Sequence, residues 1–334
     1  MKSDILKLSV LFLFGLIMAI AVFYFSGIEG ILNYIFNLNI FYYSLSIFCV
    51  FLTILFWAFR WNVFIRQSGY KVPLLNLLGN LFVGITINNF TPVAKFGGEP
   101  IRIYLLYKKN HVQTRIGSAT VLAELTVDFV VSLFLVITSI LLITIFGNTP
   151  IWLSFILILF LILSFIGFSC IVGIYSSKKF IIRAILWFIN KIKRVTPFRE
   201  KIMKWYNEFQ KEFKKSIRNK NVFSISLFFG ILMKIFDLLK FFFIFLALGY
   251  QIDLIQIIIA MGIGIMLMSI PATPGNLGIL EGGLISAFVL IGIPLQIAAA
   301  AVFLERILWF WGVNIIGLSL GAFYGVKMFE KHSL

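Results

Sequence analysis

Charge is scarce in this chain: 13% of its 334 residues are Asp, Glu, Lys or Arg, about half the share of an ordinary soluble domain. Cysteine is scarcer still. Cys49 and Cys170 both fall in apolar stretches, where they read as small packing residues, and neither a disulfide framework nor a Cys-x-x-Cys metal site fits them. The two histidines, His111 and His332, have no metal-ligand company. No Gly-x-x-x-x-Gly-Lys-Ser/Thr phosphate loop, His-Glu-x-x-His pair or nucleophile elbow occurs, so the chain carries no motif for ATP hydrolysis, zinc chemistry or acyl transfer. No metal or cofactor is expected, and the chain reads as a non-enzyme.

What the sequence has in abundance is apolar surface. It is 61% hydrophobic with 39 phenylalanines, and its mean hydropathy is +1.03. The apolar runs reach the roughly 20 residues that a helix needs to cross a bilayer. They are continuous rather than alternating, which excludes a β-barrel and predicts an all-α polytopic membrane protein. Six runs look complete, near 5–25, 38–59, 117–146, 151–175, 222–248 and 296–325. The first is too long for a signal-peptide core, and Tyr24-Phe25-Ser26-Gly27 lacks a small-x-small cleavage pattern; a retained helix is expected.

Two further apolar regions, 74–109 and 254–293, are each broken near the middle, and the breaks resemble one another. Thr91-Pro92-Val93-Ala94-Lys95-Phe96-Gly97-Gly98-Glu99 recurs about 180 residues later as Thr273-Pro274-Gly275-Asn276-Leu277-Gly278-Ile279-Leu280-Glu281. Downstream, Ala119-Thr120-Val121-Leu122-Ala123-Glu124 parallels Ala300-Ala301-Val302-Phe303-Leu304-Glu305 at nearly the same offset. Paired interruptions in corresponding halves are the sequence sign of a transporter-like repeat with its site at the breaks.

Lys and Arg accumulate in cytoplasmic loops, and they orient the repeat. The connections 26–39 and 147–150 carry no basic residue and read as external, whereas 176–221 is dense in Lys and Arg and reads as cytoplasmic. Arg60, Arg66 and Lys71 before the first broken region, and Lys108, Lys109 and Arg115 after it, place both its ends inside. The second broken region has no basic residue at either end and so enters from outside. The expected architecture is an inverted repeat, 5–146 against 151–325, within one membrane domain spanning 1–334. It would contain six full spans and two broken re-entrant hairpins, with both termini cytoplasmic in the cell membrane.

The insert 176–221 places Ile202, Trp205, Tyr206, Phe209 and Phe213 at helical spacing among its lysines. An amphipathic helix pair on the anionic inner leaflet is the expectation, and its charge is what a membrane surface demands rather than a nucleic-acid footprint.

Candidate site residues follow from the cost of charge in an apolar setting. Lys95 and Arg102 flank Gly97-Gly98, and Pro100 opens a helix there, so its N-terminus and the two cations suit a phosphate. An internal Glu99–Arg102 pair is the structural alternative. Glu281 is the only ionisable residue from Leu254 to Leu304, either functional or tied to backbone N–H groups at a helix start. Glu124 and Asp128 share a helical face, Glu305-Arg306 occupies the matching place, and Lys234, Asp237 and Lys240 recur at i, i+3, i+6. These charges form either salt bridges or a polar groove for a head group. Lys95, Gly97, Gly98, Arg102, Lys234, Asn276 and Arg306 are thus the expected substrate-binding positions. Glu99, Asp237 and Glu281 are gating or proton-exchanging candidates, Glu124, Asp128, Lys240 and Glu305 would line the groove, and Thr91, Pro92, Thr273, Pro274 and Gly275 make the breaks.

Phe96-Gly97-Gly98-Glu99-Pro100-Ile101-Arg102-Ile103-Tyr104, Ser269-Ile270-Pro271-Ala272-Thr273-Pro274-Gly275-Asn276-Leu277-Gly278 through Gly283, and Glu305-Arg306-Ile307-Leu308-Trp309-Phe310-Trp311 resemble the signatures of the lysylphosphatidylglycerol synthase transmembrane region, also described as flippase-like integral membrane proteins. The resemblance covers nearly the whole chain. It implies a lipid flippase that in two-domain members moves aminoacylated phosphatidylglycerol made by a soluble C-terminal domain. Stand-alone relatives are linked to isoprenoid-linked sugars and envelope lipids. This chain ends nine residues after Gly325 and is expected to lack the synthase domain. Asn276 stands where many relatives have glycine.

The expected function is a flippase or scramblase for an anionic lipid, phospho- or isoprenoid-phosphate-linked. Lys95, Arg102 and Arg306 would hold the phosphate. The alternatives are a membrane-embedded transferase on an isoprenoid phosphate, and a non-catalytic partner of a separate lipid- or glycan-synthesis enzyme.

Overall fold

The computed structural model of the protein describes residues 2–91, 97–146, 199–268 and 273–330, with short pieces between 155 and 166. Every regular element among these residues is helical. The order is α1 (Lys2–Phe25), α2 (Ile28–Phe36), α3 (Ile40–Gln67), α4 (Leu74–Phe90), α5 (Glu99–Asn110) and α6 (Thr114–Phe146). Then follow α7 (Arg199–Arg218), α8 (Lys220–Ala247), α9 (Leu254–Met268), a 3-10 turn (Pro274–Asn276), α10 (Ile279–Leu290), α11 (Leu295–Arg306), a π-helical segment (Ile307–Gly312) and α12 (Val313–Glu330).

Four helical stretches are long and apolar enough to cross a membrane: Ile40–Gln67, Thr114–Ile145, Lys220–Ala247 and Leu295–Gly325. A fifth arises if α1 and α2, bent by 83°, count as one span. Six were expected. The run 151–175 lies almost wholly outside the described residues, and the connection 26–39, read as a loop, holds the nine-residue helix α2. Gly27 makes the bend possible, with φ of 91° that costs glycine little. The second span is also longer than its apolar run. Arg60 and Arg66 lie inside α3 rather than after it, and Arg60 is 1% exposed.

Both broken regions are helix pairs, α4 with α5 and α9 with α10, each pair in contact. Their members are shorter than a span. Pro100 sits in the first turn of α5, where its missing N–H is harmless. Close packing within the first pair depends on glycine: a Cβ on Gly98 would lie 1.9 Å from the carbonyl oxygen of Gly84 in α4. Across the molecule, α3 and α8 form the broadest helix interface, along which Phe56 stacks on Phe229 and Phe236. These are the helices preceding the two breaks.

Helix α7 packs on the bundle. Its lysines and its apolar stripe are those of an amphipathic helix, but Tyr206, Phe209 and Phe213 pack against Phe64 of α3 and Ala119, Ala123 and Val127 of α6. Arg115 pairs with Glu208, and the Gln67 side chain donates to the Lys215 carbonyl at 3.0 Å. Tyr206, Phe209 and Phe213 of the apolar face are therefore covered by protein, and Trp205 is left exposed. Residues 176–198 of the insert lie outside the described residues.

Candidate functional site

At the seam between α3 and α8 lies a cavity of about 140 Å³ walled by both broken regions and by the helices before and after them. Five carboxylates line it: Glu99, Glu124, Asp128, Asp237 and Glu305. Three cations join them, Arg60, Lys234 and Lys240, with Asn88, Asn89, Trp57 and Trp309 among the remaining walls.

The first-half charges form one network. Glu124 of α6 accepts from Arg102 Nη2 at 2.6 Å, from Arg60 Nη2 at 3.3 Å and from the Trp57 indole N–H. Arg102 also donates through Nη1 to Glu99 at 2.8 Å, the i, i+3 pair foreseen from the sequence, and its guanidinium lies 4.2 Å from the Trp61 ring centre. With its side chain 1% exposed, Arg102 is committed to two carboxylates and a ring. Arg60 reaches past it to Asp128 at 3.2 Å. Asp128 in turn stands 3.9 Å from Lys234 of α8, which ties the two halves together.

The second-half charges form another. Lys240 of α8 donates to Glu305 of α11 at 2.8 Å and approaches Asp237 at 3.5 Å, with the Trp309 ring 5.0 Å away. The run Lys234, Asp237, Lys240 is therefore not neutralised only within its own helix. It reaches α6 on one side and α11 on the other.

These two networks occupy matching places. Arg60 with Glu124 and Lys240 with Glu305 each join the helix before a break to the helix after it, and corresponding members stand about 180 residues apart. In each half one aromatic–acid pair flanks the ion pair. In the first the Trp is on α3 and the Asp on α6; in the second the Asp is on α8 and the Trp follows α11.

Not every expected residue meets here. Glu281 accepts from the Gly278 backbone N–H at 2.6 Å and lies 2.8 Å from Arg306 Nε. This is the helix-start arrangement that stood as its structural alternative. The Glu281–Arg306 pair lines a second, mainly apolar cavity beside α1, with Leu16, Phe23, Phe303 and Phe310 around it. Arg306 and Arg102 thus do not share one phosphate site, because α11 presents consecutive residues Glu305 and Arg306 to different cavities. Lys95 and Pro92 lie outside the described residues.

The remaining break residues shape backbone. Thr91 Oγ1 donates to the Ile87 carbonyl and Thr273 Oγ1 to that of Leu277, both at 2.8 Å. A Cβ on Gly97 would strike Thr91 Oγ1. Gly98 donates its N–H to Asn88 Oδ1 at 2.6 Å. Gly275 and Asn276 are both left-handed, with φ of 61° and 52°, a conformation asparagine tolerates better than most residues. The two breaks meet: a Cβ on Gly275 would lie 3.0 Å from the Asn89 carbonyl oxygen. Thr273, Pro274 and Gly275 therefore build the joint.

Sequence reasoning missed Arg60, Trp57, Asn88 and Asn89 as site residues. Arg60 was read only as a marker of the cytoplasmic side. The signal available for Asn88-Asn89 was a polar pair ending an apolar run just before a Thr-Pro break.

The family profile of the lysylphosphatidylglycerol synthase TM region matches residues 6–317. Similar chains are UPF0104 membrane proteins of archaea. One from Pyrococcus horikoshii is 25% identical over 327 residues, covering 93% of this chain and 96% of the relative. One from Methanocaldococcus jannaschii is 26% identical, with 95% of each chain covered, and one from Methanothermobacter thermautotrophicus is 26% identical, with 87% of each covered. The match takes in both breaks and both charge networks, and the chain belongs to the lysylphosphatidylglycerol synthase transmembrane-region family of multi-pass membrane proteins.

Proposed function

We propose that the protein carries the head group of an anionic lipid, phospho- or isoprenoid-phosphate-linked, between the leaflets of the cell membrane, as a flippase or scramblase. The observation that carries this reading is the charged cavity at the seam. Ionisable groups inside a membrane bundle are costly and mark substrate or ion paths. A space of about 140 Å³ compares with the roughly 150 Å³ engineered cavity that accommodates benzene. It suits a phosphate-sized group while the tails stay in lipid. Arg60, Lys234 and Lys240 are the cations that would meet the phosphate, since they line the cavity and Arg102 does not.

The matching ion pairs support an inverted repeat of 5–146 and 151–325, and the distribution of basic residues supports cytoplasmic termini. Two equivalent breaks meeting beside one site suit alternating access. The outward lysines of α7 are suited to the anionic inner leaflet. In this reading no covalent bond is made or broken.

The test is leaflet exchange in proteoliposomes, with tail-labelled phosphatidylglycerol and a membrane-impermeant quencher. Lys234→Gln should slow exchange with normal folding, because Asp128 keeps Arg60 at 3.2 Å when the longer Lys234 contact of 3.9 Å is lost. Wild-type exchange in that variant would remove the cavity from the path, and no protein-dependent exchange would remove the function.

A further inference from the structure

The two charge networks match in position but not in balance. In the first half, Glu124 receives three donors and both its oxygens are used. Its counterpart Glu305 receives, among the described residues, only Lys240, on Oε1. Glu305 Oε2 is buried and has no hydrogen-bond partner among the described residues, on a side chain 7% exposed that lines the cavity.

The cause lies three residues before each cation. Trp57 precedes Arg60 and supplies Glu124 with an N–H. At the equivalent place before Lys240 stands Asp237, a second carboxylate. Asp237 and Glu305 therefore share a single ammonium, at 3.5 and 2.8 Å. The other charges facing the cavity are balanced without them. Glu99, Glu124 and Asp128 on α5 and α6 have Arg102, Arg60 and Lys234 as partners. The cavity walls from α4, α9 and α10 carry no charged residue, and α3 adds two titratable groups beside the triad, the Tyr43 hydroxyl facing Glu305 and the Cys49 thiol facing Lys240 and Asp237.

Two carboxylates on one cation in a poorly solvated space are relieved when one of them takes a proton. An incoming anion sharpens the imbalance, because it adds negative charge to a cavity that already has one carboxylate in excess among the described residues. We propose that the Asp237–Lys240–Glu305 triad is a proton-binding site, and that one proton from water enters it with each monoanionic head group and leaves with it. The proton bonds to a carboxylate oxygen on entry, with Glu305 Oε2 the open position, and that O–H bond breaks on release. No net charge crosses, so the cycle responds to a pH gradient and not to membrane potential. The coupling rests on the proposed lipid translocation, but the proton site itself can be tested without it.

Proteoliposomes holding the full chain and tail-labelled phosphatidylglycerol would be given a gradient of about one pH unit. At one proton per lipid this sustains about a tenfold leaflet ratio of label, and a trapped pH dye should report the accompanying acid. In Asp237→Asn and Glu305→Gln, exchange should stop following the gradient whatever its rate. Wild-type exchange indifferent to pH gradient would overturn the coupling and leave lipid translocation standing. A complete lack of exchange would instead sink the translocation reading. Infrared spectra of the same protein then decide the proton site: a protonated-carboxyl band, strengthened by phosphatidylglycerol and removed by either substitution, sustains it. A spectrum with no band sensitive to Asp237→Asn or Glu305→Gln overturns it.

Discussion

Arg102→Met removes the cation that holds two carboxylates at the first break. At an effective dielectric of about 20, two unit charges about 4 Å apart attract by about 4 kcal/mol. Arg102 makes two such contacts, at 2.8 Å to Glu99 and 2.6 Å to Glu124. The loss is less than the sum, because the charges were themselves costly to bury. Removing one partner of a buried pair typically costs about 3–5 kcal/mol. The two carboxylates should not suffer equally. Glu124 keeps Arg60 and Trp57, whereas Glu99 loses its only ion pair among the described residues. Most of the loss should therefore come from Glu99, and Glu99→Gln in the Arg102→Met background should restore stability rather than lower it further. The assay is denaturant unfolding of the purified protein in detergent, followed by tryptophan fluorescence, since Trp57 and Trp61 flank the guanidinium. A double-mutant cycle gives the coupling, expected at about 1–3 kcal/mol. Arg102→Met with wild-type stability, or a further loss on adding Glu99→Gln, would refute the assignment.

Gly98→Ala should lower stability by about 1–3 kcal/mol or more, because the new methyl meets backbone at Gly84 rather than a side chain that can turn aside; an unchanged unfolding midpoint would show that α4 and α5 are not so tightly joined. Phe209→Ala with Phe213→Ala should release α7 from α6, since each buried ring contributes about 3–5 kcal/mol. Limited proteolysis reads this as faster cleavage within residues 199–218, and wild-type protection would return the apolar face to the lipid surface. Cysteines at the exposed positions Asn37 and Asn207 test orientation. The first should react with an impermeant thiol reagent in intact cells and the second only after permeabilisation, and the reverse pattern would invert the proposed topology.

Hydropathy and the Thr-Pro breaks made the helical membrane class and the location of both interruptions legible. Each depends on neighbours in sequence. A run of apolar residues needs no distant partner to be costly in water, and Pro100 opens α5 through its own ring. The Glu99–Arg102 pair was legible for the same reason, as both residues lie on one helical turn. Arg60 was not. As the basic residue next to a span end it matched every topology marker, and nothing local distinguishes it from Arg66. The packing of helix α7 was not legible for a similar reason: an amphipathic stripe has the same pattern whether protein or lipid covers it.

The sequence determined by itself that this is a helical membrane protein with two related, glycine-bearing breaks, and which charges such a setting makes costly. Only the tertiary structure decided how those charges are shared. It set Arg60 against Glu124 and Lys240 against Glu305, turned Glu305 and Arg306 toward different cavities, and left two carboxylates on one ammonium. The physical reason is that charge pairing inside a bundle is fixed by packing between helices far apart in the chain. A residue's cost of burial is written in its own chemistry, but the partner that offsets it is chosen by the fold.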